Sequence, residues 1–122
     1  MKTLGYFEGT DPVVLTKLAA KGIETLPLGN GADNHGKYIG HITTSDNIAL
    51  VIGYLHKVIP LSEHKIEAGD ILFSCKTHNI PVMLIVPKSD QTAAKKLLAD
   101  VAEYTILVDT DEIMDKVLDL LG

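Results

Sequence analysis

Short apolar runs of strand length alternate along this chain with segments that carry helix-start signals, and this alternation limits the fold more than any other feature. Thr3 to Phe7 reads as a short buried strand. Gly9-Thr10-Asp11-Pro12 behind it reads as a helix start: a capping residue, then proline at the first helical position, where a missing N–H costs nothing. Val14, Leu15, Leu18 and Ala19 form the apolar face of that helix. Gly22 is the expected stop, because a left-handed C-terminal cap favours glycine, and Ile23 to Leu28 resumes as a strand. The later half repeats the pattern. Ile80 to Val86 is an apolar strand with both faces covered, and Ser89 is expected to cap a helix that turns Ala94, Leu97, Leu98 and Val101 inward. Tyr104 to Val108 is the last strand. Asp109 with Glu112 three residues on fits a capping box for a final helix whose Ile113, Val117, Leu120 and Leu121 face the core.

The middle is less regular. Gly29 to Gly40 carries four glycines together with Asn30, Asp33, Asn34 and His35, and is expected to be a loop. Ile48 to Leu55 fits both a helical spacing and a continuous buried strand. The strand is preferred because Ser62 to His78, with Ala68, Ile71, Leu72 and Cys75 on one face, reads as a helix that needs a strand before it. Tyr38 to Thr43 is then available to pair with that strand as an antiparallel hairpin around Thr44 to Asn47. No repeat, low-complexity tract or linker interrupts the 122 residues, so one domain over 1–122 is expected. The fold class is α/β: a three-layer Rossmann-like or flavodoxin-like domain of about five mainly parallel strands with helices on both faces.

Composition narrows the partners. Sixteen acidic residues against eleven basic ones give a formal charge of −5, which argues against a nucleic-acid partner, since phosphate backbones need a cationic face. All eleven basic residues are lysine, so any anion must be held by lysines or backbone amides rather than by a guanidinium fork. The acidic excess is local: residues 1–88 hold eight acids and eight lysines, whereas 89–122 hold eight acids and three lysines. A solvated outer helix face accounts for it. Cys75 is the only cysteine, which excludes an internal disulfide and suits a reducing cytoplasm. The start of the chain lacks a secretory h-region and no apolar run reaches the roughly 18 residues needed to span a bilayer, so no membrane partner is expected. A mean hydropathy of +0.19 in so short a chain suggests a homo-oligomer, with a dimer favoured.

In an open parallel sheet ligands bind outside the carboxyl ends of the strands. That rule directs attention to the loops at 8–11, 29–37, 55–62, 87–89 and 109–111. The richest is Gly29 to Lys37, where glycines expose backbone amides and Lys37 adds a positive charge. Asn34 stands where the dinucleotide fingerprint needs its third glycine, and Tyr38 follows Gly36-Lys37 where a P-loop needs Ser or Thr. Both ordinary nucleotide motifs are therefore rejected, and no cofactor is assigned. The expected function is binding of a small anionic metabolite or nucleotide, in a regulatory or accessory role, with Glu8, Gly9 and Thr10 lining one side and Gly29, Asn30, Gly31, Asn34, His35 and Lys37 the other. Asp33, His35 and His41, with His56 and His64, match no strong metal spacing, and no metal is assigned. Cys75 aligns with the apolar face of its helix and reads as a buried, inert thiol.

Asp46-Asn47-Ile48-Ala49-Leu50-Val51-Ile52, the helical Glu67-Ala68-Gly69 and Asn79-Ile80-Pro81-Val82-Met83-Leu84-Ile85 together resemble the central part of nucleoside 2-deoxyribosyltransferase-like and lysine-decarboxylase-like (LOG-type) Rossmann domains. Asp109-Thr110-Asp111-Glu112-Ile113 is similar to their closing strand-to-helix step. The resemblance implies N-glycosidic-bond chemistry on a nucleoside or nucleotide, with Glu67 as the catalytic carboxylate. Ser62-Glu63-His64-Lys65-Ile66 stands where that family has a glycine-threonine lead-in. This enzyme is one alternative function, and an oligomeric interaction protein without a ligand site is the other.

Overall fold

β1 (Thr3–Phe7) lies inside the sheet, and the chain builds outward from it in both directions. It first passes through α1 (Pro12–Ala20) to β2 (Glu24–Gly29) and the two-residue β3 (Lys37–Tyr38). It then pairs β4 (Ile48–Tyr54) with the other side of β1. From there α2 (Phe73–Thr77), β5 (Val82–Ile85), α3 (Gln91–Leu98), β6 (Thr105–Val108) and α4 (Ile113–Leu121) follow. The order β3-β2-β1-β4-β5-β6, parallel at every pairing, is the doubly wound Rossmann-like arrangement. Without the short β3 edge, the five longer strands have the flavodoxin-like order. The structure is a computed structural model that describes residues 2–29, 36–58 and 72–121.

Two apolar layers hold helices to the sheet. Leu4, Leu50, Ile52, Met83, Ile85 and Val108 meet Val14 and Leu18 of α1 and Ile113, Val117 and Leu121 of α4 on one face. Phe7, Leu28, Val51, Val82, Leu84 and Val86 meet Leu72 and Cys75 at α2 and Ala94 and Leu98 of α3 on the other. β5 divides its side chains between the faces with a period of two, which is why an unbroken apolar run is the signature of a strand covered on both sides. β4 breaks that period once. Its register against β1 shifts between Thr3 and Leu4, the extra residue being Ala49, so Ile48 shares a face with Val51.

Local chemistry explains the element ends. Asp11 caps α1 by accepting from Val13 N at 2.9 Å, with Pro12 in the first turn. The helix closes with Gly22 N on Ala19 O and Ile23 N on Leu18 O, the paired bonds of a Schellman stop. α2 ends in the same way, with Asn79 at φ 56° in the glycine position: Asn79 N donates to Lys76 O and Ile80 N to Cys75 O. At α4 the capping box expected from Asp109 and Glu112 is formed.

The middle of the chain departs from the sequence expectation. There is no antiparallel hairpin between 38–43 and β4, because β4 spends one edge on β1 and the other on β5. Tyr38 pairs instead with Gly29, in parallel, and Ile39–His41 and Thr44–Asp46 are single 3-10 turns. The expected loop from Gly29 to Gly40 thus contains a strand end and a short strand. Gly36 makes the close approach: at φ 65° a Cβ there would strike the Pro27 carbonyl oxygen. Ser89 is not a cap. It sits inside a 3-10 turn, Lys88–Asp90, closed by Asp90 N on Pro87 O, and α3 begins after it. Leu97 and Leu120 are exposed rather than inward, since the core line of each short helix is taken by residues four apart, Ala94 with Leu98 and Val117 with Leu121. Of the helix read over Ser62 to His78, the described part is Phe73–Thr77, with Leu72 and Cys75 buried as expected.

Candidate functional site

The direction of winding reverses between β1 and β4, so the crevice that this fold normally uses lies beyond Phe7 and Tyr54. The β1 exit is tightly tied. Thr10 is buried and both its backbone N–H and its hydroxyl donate to Phe7 O, at 3.3 and 2.8 Å. Gly9 turns at φ 89°, with the Tyr54 ring edge 4.0 Å from the point a Cβ would occupy. Glu8 reaches across to the β4 exit, its Oε1 standing 3.5 Å from Lys57 Nζ. Glu8, Gly9 and Thr10 are therefore together at the carboxyl end of β1, as the sequence reading placed them. Their electrostatics do not favour an anion: Glu8 neutralises Lys57, and the Asp11 carboxylate occupies the amide that α1 would offer.

Among the described residues an open space lies one strand further along. A cavity of about 440 Å³ sits at the carboxyl ends of β4 and β5, where Tyr54, Leu55 and His56 face Ile85, Val86 and Pro87. Its outer wall is α3 with the turn before it, contributing Asp90, Ala93, Ala94 and Leu97. Gln91 holds that wall in place by donating from Nε2 to Val86 O at 3.1 Å. Tyr54 and His56 stack at 22° with ring centroids 6.1 Å apart, so one side of the rim is aromatic. Leu97 stands 60% exposed on the opposite wall, an apolar side chain that an occupant of the cavity would cover. The volume falls within the range of about 300–1,000 Å³ usual for small-molecule sites.

The other residues singled out from the sequence lie elsewhere. Gly29 is buried at the end of β2. The Lys37 ammonium is committed to Asp46, bonding both carboxylate oxygens at 3.0 and 2.8 Å. Asp46 also accepts from Thr43 N at 2.8 Å, and the Lys37 and Thr43 bonds together hold its carboxyl below the ordinary range. Asn30, Gly31, Asn34, His35 and Glu67 lie outside the described residues. His41 is exposed and meets Tyr38 edge-on, with centroids 5.1 Å apart. Among the described residues no three His, Cys, Asp or Glu side chains converge as a metal site.

A second cavity, about 360 Å³, opens at the opposite end of the sheet between Cys75, Asn79, Pro81 and Tyr104. Its one nucleophile is muted. Cys75 is 1% exposed and burial pushes its thiol up to about 12, while Lys76 lies over the Tyr104 ring at 4.8 Å.

Sequence reasoning named the loops after β4 and β5 as strand exits, but it weighed His56 only as a metal ligand and Leu97 only as a core residue, and it did not name Tyr54 or Asp90. The signal was the position of His56 and Asp90 just beyond two apolar runs. What was missing was the placement of α3, which turns two separate loops into the walls of one cavity. Comparison with protein-family models, with curated proteins and with solved structures finds no match to this chain. What the structure defines is a doubly wound α/β protein with an opening at the carboxyl ends of β4 and β5. Among those residues no helix is long and apolar enough to cross a membrane.

Proposed function

We propose that this protein binds a small metabolite of nucleoside or nucleotide type at the carboxyl ends of its strands, in an accessory or regulatory role. The observation that carries this reading is the cavity between β4, β5 and α3, which combines mostly apolar walls with two polar side chains, His56 and Asp90. It lies on the side of the sheet where doubly wound folds hold ligands. The anionic part of the sequence expectation rested on the 29–37 loop. Of that loop Lys37 now has an intramolecular partner, so the support moves to the β4–β5 exits.

A thermal-shift panel of nucleosides, nucleotides, sugar phosphates and divalent metals tests the reading, because a ligand that binds only the native state raises its stability by mass action. A shift with one nucleoside or nucleotide class, lost in Ala93→Phe, is expected. No shift across the panel would turn the assignment to an interaction protein. Self-association, proposed from the mean hydropathy of +0.19, is tested separately by light scattering at high concentration, where a clean monomer removes it.

A further inference from the structure

The side chains that line the cavity at the β4 and β5 exits carry the assignment of its ligand further. It rests on the reading of that cavity as a binding site. We infer that the site takes an uncharged heteroaromatic ring of the nucleobase class, and prefers a nucleoside to its 5′-phosphate. Three observations converge. Most of the surface is hydrocarbon, with Leu55, Pro87, Ala93 and the exposed Leu97 in its lining, which suits a flat ring and gives a phosphate no hydrogen bond. The Tyr54–His56 stack supplies a π-faced rim on which a third ring continues the pile. The charges at the mouth have the wrong sign for an anion: Asp90 lines the cavity, no lysine lines it among the described residues, and the neighbouring Lys57 is paired with Glu8.

Asp90 gives the selection its direction. Its carboxylate only accepts hydrogen bonds, so it favours ring N–H or exocyclic amino donors and repels phosphate oxygens. The placement also separates this site from the usual one of the fold. A phosphate at the β1–α1 turn would meet Glu8 and Asp11, and the first amides of α1 include a proline, which has none, and Val13, which is bonded to Asp11. The ring therefore sits one strand away from the winding reversal, under α3.

The test is an NMR titration of the full chain with adenosine, guanosine, cytidine and uridine, with their 5′-monophosphates, and with inorganic phosphate. The expected result is shifts at Leu55, Val86 and Leu97 for at least one nucleoside. Its 5′-monophosphate should bind about tenfold or more weakly, the cost of bringing phosphate charge beside the Asp90 carboxylate. Asp90→Asn should bring that ratio towards one, and Ala93→Phe, on the exposed side of α3, should abolish the shifts. Leu97→Ser is the companion variant if Ala93→Phe fails to fold. Monophosphates or inorganic phosphate binding as well as nucleosides, still blocked by Ala93→Phe, would overturn the ring selection and leave the site standing. Binding that ignores both cavity variants, or no binding by any probe, would overturn the site and the selection together.

Discussion

Glu8 Oε1 stands 3.5 Å from Lys57 Nζ and so ties the exit of β1 to the exit of β4 across the place where the sheet reverses its winding. The Lys57 side chain is 15% exposed and that of Glu8 49%, so the pair is half solvated. Glu8→Gln is expected to cost less than about 1 kcal/mol in urea unfolding, with the loss shrinking at high salt. A cost of several kcal/mol, insensitive to salt, would mean that the bridge is a buried structural tie.

Lys37 and Asp46 make acid stability depend on one carboxylate. Because the folded carboxyl titrates below its ordinary value of 3.8, its contribution is complete above that pH and is lost as pH falls through the lower folded value. Asp46→Asn should therefore be less stable than the native chain at neutral pH and nearly equal to it at strongly acidic pH. Parallel unfolding curves at the two conditions check this, and a gap that does not close would assign the stabilisation to packing.

Cys75 makes the opposite linkage at the alkaline end. Burial pushes the folded thiol up to about 12 from an ordinary 9.0, so Cys75 costs the native state nothing below pH 9, and stability falls as pH rises from 9 through the folded value. A thiol-specific colorimetric reagent should label the native chain slowly at pH 8 and rapidly in urea. Rapid labelling of the native chain would contradict a 1% exposed sulfur.

Gly53 lies against Phe7. A Cβ at this position would sit 2.7 Å from Phe7 Cδ2, too close for a real contact, and Phe7 is fully buried. Gly53→Ala should cost about 1–3 kcal/mol through overpacking. Phe7→Leu in that background should then lose less stability than the same change in the native chain, a non-additivity read directly from a double-mutant cycle.

Asp109 accepts from Thr110 N at 2.8 Å, and Glu112 Oε1 in turn accepts from Asp109 N at 3.2 Å. Asp109→Ala should cost about 0.5–2 kcal/mol and fray the start of α4. Faster hydrogen exchange confined to 110–114 would report that fraying, and unchanged exchange there would show that core packing of Ile113 alone holds the turn.

The alternation of strand and helix, the caps at Asp11 and Asp109, the stop at Gly22 and the buried strand of 82–85 were legible in the chain because each depends on neighbours within a few residues, whereas the strand of 48–54 was ambiguous locally and was preferred over a helix only from the order of elements. Parallel pairing was legible too, since a strand followed by a helix has little choice but to cross over. The partner of Tyr38, the bulge at Ala49 and the exposure of Leu97 were not. Each depends on which edges and faces other strands and helices had already taken, and that is a matter of distant sequence meeting in space. The same reason moved the candidate site. Lys37 looked available until the fold brought Asp46 to it, and Tyr54, His56, Asp90 and Leu97 looked unrelated until α3 closed over the ends of β4 and β5. Local hydrogen bonding and apolar period specify the elements of this chain, whereas a cavity is a relation between elements and exists only once they are packed.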